Sequence, residues 1–390
     1  MAADKKRNSK QLDMRTLTMV MVLVILWVVF SITTEGNFIT TRNLSNLVRQ
    51  TAFTGIMAVG MTLVIVTGGI DLSAGMTMGF IGCVMAVCQV WWGLSTPVTI
   101  AIGLVLGVVF GTLQGALIAY TGIAPFIVTL GTQLVFRGGM LAVTSGQTIA
   151  PFKESYKFWG TEYVSPTIGW ILAAVAVIAL LLSELKKRRA KQKYGSLTES
   201  MGQMCLRWVI SAALIFVAMF ILNDFKGMPI PVLVMVIVVI IFTFISQRTT
   251  FGRSIYAIGG NVAAARYAGI NVKKNLTLVY MLNGLLCAVA AVIYTARLNG
   301  GTAQAANGNY ELDAIASAVI GGTSMTGGVG KVSGAILGAV IMMSIDNGMS
   351  MMNLDAYWQF IVKGIILVAA VLFDTQTKNR TKSRKKNKEI

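Results

Sequence analysis

Six ionisable side chains fall inside or at the ends of long apolar stretches of this 390-residue chain: Asp71, Arg137, Glu311, Asp313, Asp346 and Lys363. An ionised group at bilayer depth costs roughly 2.5 to 3.5 kcal/mol on insertion scales, so each must meet a partner, a water-filled cavity or a span end. Three chemistries would use such groups: carboxylates that bind protons or sodium in an ion-coupled secondary transporter, acid and base groups of a membrane-embedded enzyme, or a polar lining for a solute path. Asp71, Glu311 and Asp313 lie near the ends of apolar runs, where water or a helix N-terminus satisfies a carboxylate, and this weighs against a relay. Arg137 is well inside the run from Phe126 to Val143, beside Gly138 and Gly139. It is either paired within the protein or lines the path. The chain has no histidine, which excludes a Ser-His-Asp triad, a Cys-His pair and any His-containing zinc site. With no paired carboxylates evident either, no catalytic residue is assigned. Cys83, Cys88 and Cys287 sit within apolar stretches and read as small hydrophobes, and no metal site is expected.

Two glycine-rich segments carry the remaining polar groups of interest. The first is Gly68-Gly69-Ile70-Asp71-Leu72-Ser73-Ala74-Gly75, and the second runs from Gly321 through Thr323 and Ser324 to Gly330. Neither can be regular helix, and irregular backbone at membrane depth survives only against protein or a water-filled cavity. Asp71, Ser73, Arg137, Asp313, Thr323 and Ser324 are therefore the candidates for a translocation path. Val64 to Gly75 and Ala318 to Gly328 share an apolar run, a Gly-Gly pair and a similar polar sequel, consistent with a parallel internal repeat. The nearest approach to a phosphate loop, Gly330-Lys331, has Met325 at the first glycine position and Val332 where magnesium needs Ser or Thr. If ATP powers this protein, another chain binds it.

The elements that must position these residues are membrane helices. Charged residues make up 12% of the chain and apolar ones 55%, with mean hydropathy +0.72, against about 25% charged in soluble domains. Apolar runs predict spans near 14–34, 50–67, 75–92, 97–119, 125–145, 167–183, 207–222, 230–246, 275–296 and 356–374. Residues 311–349 are expected to start and finish on the outer side, as two short spans or as a re-entrant pair of half-helices. The reading is an all-α polytopic bundle of about ten spans with broken or re-entrant helices. Most of the 33 Lys and Arg cluster before residue 16, at Lys186 to Arg207, at Arg248 to Lys274 and after Lys378. The positive-inside rule makes all four cytoplasmic. The parts are thus a basic N-terminus (1–13), a membrane domain (14–374) with cytoplasmic segments 184–206 and 247–274, and a basic tail (375–390). The first apolar run has a signal-peptide-like basic prelude but no small-residue cleavage site, and is expected to stay as a span. Gly146 to Pro166 is the long outer connection, and Trp91 and Trp92 read as interface-belt residues. Blocks spread in this way are topological signals and do not form a nucleic-acid surface.

Within 247–274, Asn261 is a candidate N-cap for a short helix from Val262 to Ala268, and Gly269 a candidate C-cap. A helix of small residues beneath a span has too little apolar face to hold itself, so a partner surface is the natural reading.

These motifs, taken together, resemble the permease subunits of bacterial sugar-importing ABC transporters of the ribose, xylose and galactose group, over about Asn43 to Asp374. The resemblance is carried by Gly68-Gly69-Ile70-Asp71-Leu72-Ser73, by Pro125 to Leu130 with Arg137-Gly138, by Tyr256 to Asn261 continuing through Ala268 to Val272, and by Gly321 to Gly330. Asp346 to Met352 and the basic insertion Lys186 to Lys193 look most like the xylose-type branch. The resemblance implies a homodimer of permeases in the bacterial cytoplasmic membrane, with both termini inside. It also implies a separate subunit that binds ATP-Mg, an extracytoplasmic sugar-binding protein, and a monosaccharide, xylose or a related pentose, as cargo. Gly260, Asn261, Ala264, Arg266, Gly269, Ile270 and Asn271 would dock on the ATPase, and the chain itself would hold no cofactor. Flux that needs a separate ATPase distinguishes this reading from the ion-coupled alternative.

Overall fold

The computed structural model describes residues 2–193 and 200–386, so the tail beyond 386 and residues 194–199 of the expected basic loop lie outside the described residues. Fifteen α-helices follow one another: α1 (Ala2–Thr33), α2 (Thr41–Val66), α3 (Ala74–Ala86), α4 (Thr96–Ala116), α5 (Pro125–Thr144), α6 (Glu154–Thr161), α7 (Pro166–Lys193), α8 (Met201–Phe225), α9 (Ile230–Arg248), α10 (Thr250–Gly260), α11 (Val262–Tyr267), α12 (Val272–Leu298), α13 (Tyr310–Ile320), α14 (Val332–Met351) and α15 (Ala356–Lys386). π-helical turns at Val87–Trp91 and Leu117–Thr121 extend α3 and α4. Among the described residues, ten helices are long and apolar enough to cross a membrane, and Leu17–Thr33 of α1 adds a shorter apolar stretch. The strand content described is one antiparallel pair, β1 (Tyr163–Val164) with β2 (Met228–Pro229).

α2 is buried on every side from Thr51 to Thr67 and forms the axis of the bundle; an all-round apolar helix belongs there. α12 packs against α2 and, most extensively, against α4. Small residues allow that approach: Gly107 and Gly111 of α4 meet the backbone of Gly284 and Tyr280, the close packing that substitutes in membranes for a hydrophobic drive. α7, α8, α9 and α15 turn rows of exposed Leu, Ile, Val and Phe outward, as lipid-facing helices do.

Three features depart from the sequence reading. α2 starts at Thr41, well before position 50, because Arg42, Asn43, Asn46, Arg49 and Gln50 hide its first turns from a hydropathy count. Residues 250–260, expected only as a connection, form the helix α10. Within 311–349 the two helices are unequal where a matched pair was expected: α14, at 20 residues, is about 30 Å long and long enough to cross a membrane. α13 is short, 11 residues or about 16 Å, and the irregular loop Gly321 to Lys331 follows it.

Candidate translocation and coupling site

Two breaks in the helices, after α2 and after α13, end in the same way. Gly68 N donates to Ile65 O and Gly69 N to Val64 O, while Gly322 N donates to Val319 O and Thr323 N to Ala318 O. Both are Schellman closures with a left-handed glycine, Gly68 at φ +85° and Gly322 at φ +93°. The resemblance between the two segments thus extends to their local geometry, and they meet: Gly328 N donates to Val66 O at 2.8 Å.

The turn after α2 holds Asp71, buried to 2% exposure. Its Oδ1 accepts from Ser73 N at 2.8 Å and Ser73 Oγ at 2.6 Å, and its Oδ2 accepts from Asn283 Nδ2 at 2.7 Å. Ser73 Oγ in turn accepts from Gln114 Nε2 at 2.7 Å. Thr129 of α5 receives Leu72 N at 3.1 Å. One carboxylate therefore joins the turn to α12, and its serine partner joins it to α4. Both oxygens of this buried carboxylate thus meet donors. Asn283, Gln114 and Thr129 were not singled out from sequence, since a lone neutral polar residue in an apolar helix carries no sign of its partner.

The cytoplasm-assigned stretch reaches the same place. α10 lies against the glycine loop: Tyr256 Oη donates to Gly330 O at 2.8 Å, and a Cβ on Gly259 would collide with the carbonyl of Val66 and the amide of Gly328. Beyond α10 the caps expected at Asn261 and Gly269 are present, and Asn271 adds one that was not expected. Asn261 accepts from Ala264 N, Asn271 accepts from Lys274 N, and Gly269, at φ +79°, closes α11 with Ile270 N donating to Ala265 O. The helix stops at Tyr267, one residue short of the predicted end. Only Ala265 is buried, held on Ile258 and Val272. Asn261, Ala264, Arg266, Gly269 and Asn271 are exposed, and Tyr267 is 93% exposed.

The other pathway candidates separate into distinct places. Thr323 and Ser324 are buried in the loop, where Ser324 Oγ donates to Asp374 Oδ2 of α15 at 3.0 Å and Thr323 Oγ1 has no partner. Asp313 lies at the far end of α13, where Lys363 Nζ stands 3.0 Å from Asp313 and 2.7 Å from Asp346. The two carboxylates that looked unrelated in sequence share one ammonium from α15. Glu311, 2% exposed, accepts from Gln133 Nε2 at 3.4 Å. Arg137 is exposed on α5 and makes no hydrogen bond or ion pair among the described residues. Of the two sequence alternatives for it, internal pairing is not seen.

A bundle of ten or more spans, broken twice around a buried polar turn and carrying a capped helix at its basic end, has the form of a transport subunit. The chain belongs to the family described as branched-chain amino acid transport system / permease component, whose model matches residues 43–371. It is 43% identical over 372 residues, 95% of this chain and 94% of the relative, to the xylose transport system permease protein XylH of Escherichia coli (strain K12). It is 42% identical to XylH of Haemophilus influenzae over 95% of this chain and 99% of that one. The ribose import permease protein RbsC of Escherichia coli (strain K12) is 34% identical over 92% of this chain and 93% of its own length. No solved structure matches the chain.

Proposed function

We propose that this chain is the membrane-spanning subunit of an ATP-driven importer that carries xylose or a related pentose across the bacterial cytoplasmic membrane. The carrying observation is the likeness over nearly the full length to xylose permeases, stronger than the likeness to ribose permeases. The family's title names branched-chain amino acids, but these full-length relatives are named for sugars. Charge supports the sidedness: Arg248, Arg253, Arg266, Lys273 and Lys274 surround α10 and α11, and by the positive-inside rule we read that end, with both basic termini, as cytoplasmic.

The mechanism we favour is mechanical. ATP-Mg is bound by a separate subunit, α11 with Tyr267 at its tip seats in that subunit, and movement of α11 reaches α10. From α10 it passes through Gly259 and Tyr256 to the glycine loop, and from Gly328 to the turn that holds Asp71. Neither break can move alone, because backbone contacts join all three segments. The sugar would pass where Arg137 stands, on the exposed face of α5, between two copies of the chain in the lipid bilayer; a charged group there favours a water-filled passage. Deleting the gene should abolish high-affinity uptake of labelled xylose and spare uptake of leucine. Lost leucine uptake with normal xylose uptake would restore the amino-acid reading.

A further inference from the structure

We infer that Glu311 and Gln133 are the polar contact for the hydroxyl groups of the monosaccharide as it crosses the middle of the bilayer, an inference that rests on the importer reading above. Glu311 is the second residue of α13, which ends at Ile320. It therefore lies about 14 Å above the glycine loop, close to halfway through a hydrocarbon core about 30 Å thick. Its Oε2 is shut off from solvent and has no partner among the described residues, and its Oε1 has the long 3.4 Å bond from Gln133 Nε2. By contrast Asp71, Asp313, Asp346 and Asp374 each hold a donor at 3.0 Å or closer. Gly75 leaves the room that Glu311 occupies, since a Cβ there would meet both Oε2 and the Glu311 amide. Gln133 precedes Arg137 by one turn on the same face of α5, and it is half-buried between that face and Glu311. The turn Ala303–Gly308, which leads into α13, packs on both α3 and α5.

Packing alone does not account for this acid. Gly75 is in the first turn of α3 and Glu311 in the first turn of α13, so two helix N-termini meet beside the carboxyl group. An acid that served only as their counter-charge would accept from their free amides, yet Oε2 accepts from none. The same positive helix ends disfavour sodium or another cation, which needs several oxygen ligands around it. A neutral ligand with several hydroxyls supplies what is missing. Carboxylate oxygens only accept, a carboxamide donates and accepts, and hydroxyls do both. A hydroxyl that donates to a carboxylate makes a shorter and stronger bond than the one Gln133 makes now. Gln133 is open to the exposed face of α5, and a change of its side-chain rotamer uncovers Glu311 Oε1 toward that face. Glu311 then gives up one long bond while the sugar gives up water, so the net hold is weak, as a passage requires.

The test uses the full transporter in proteoliposomes, with its ATPase and a saturating xylose-loaded binding protein, and reads labelled xylose carried per ATP hydrolysed. Gln133→Ala and Glu311→Gln should each lower that ratio about tenfold, the loss of one charge-assisted bond, while stimulated ATP hydrolysis persists. Gln133→Ala removes only the 3.4 Å bond, so it should melt at the temperature of the unaltered transporter. An unchanged ratio in folded Gln133→Ala overturns the proposal, whether or not Glu311→Gln folds. Equal loss of uptake and ATP hydrolysis, with a lower melting temperature, also overturns it, by making the pair a brace between helices. Uptake that the unaltered transporter couples to sodium or protons, and that Glu311→Gln frees from them, overturns it in favour of a cation site. An unaltered transporter that hydrolyses ATP but carries no xylose from any loaded binding protein sinks the importer reading, and this inference with it.

Discussion

At the scale of single residues, Asp71 is the polar centre on which the breaks depend. Both its oxygens accept, so Asp71→Asn places an amide against Ser73 or Asn283 donors and leaves one of them unmade. We expect a loss of about 1 to 3 kcal/mol in stability, read as a lower melting temperature in detergent. An unchanged melting curve with abolished transport would give Asp71 a role in ion movement instead. Arg137 makes the opposite case, a charge with no partner among the described residues. With the four native cysteines replaced, Arg137→Cys should react with a membrane-impermeant thiol reagent while Val135→Cys, on the same helix, does not. Equal protection of the two would place Arg137 against lipid and remove α5 from the passage. Asp71 and Arg137 are legible in sequence because a charge within an apolar run is conspicuous. Asn283 and Gln114 are not, because a side chain's partners are set by contacts between helices far apart in the chain.

The helices themselves were more legible than their partnerships. Hydropathy placed the long spans, and capping chemistry placed α11, since Asn261 and Gly269 act within their own turns. α10 escaped because its glycines and polar residues lack a span's signature, and its role comes from packing on the loop after α13. That packing leaves no volume at Gly259. Gly259→Ala should cost about 1 to 3 kcal/mol by overpacking and uncouple ATP hydrolysis from uptake, with membrane insertion preserved in a protease-protection assay. Normal coupling in this variant would mean that α10 and the loop do not move together. α15 is tied to α13 and to the loop after it by polar groups, through Lys363 to Asp313 and through Asp374 to Ser324. Lys363→Met strands two carboxylates, and removing one member of a buried ion pair costs about 3 to 5 kcal/mol. The double change Lys363→Met with Asp313→Asn should recover part of the lost thermal stability. No recovery would show that the pair does not hold α15.

At the scale of the whole molecule, the class of protein was readable because its motifs are local. Glycine pairs, an aspartate two residues later and a capped helix between basic residues are all short-range patterns. Cargo and direction are less local, since in the proposed importer selection belongs in large part to a partner and energy to another chain. The account stands on the path from α11 through α10 and the glycine loop to the Asp71 turn, driven by a separate ATPase. The direct measurement is labelled xylose entry into proteoliposomes that contain this chain and its ATPase, with binding protein outside, ATP-Mg inside and ionophores abolishing every ion gradient. Uptake should persist under ionophores, require ATP, and be lost in Ala264→Arg, whose added bulk and charge block the seat of α11. Uptake that follows an imposed proton or sodium gradient without ATP, and is unaffected by Ala264→Arg, would contradict the account.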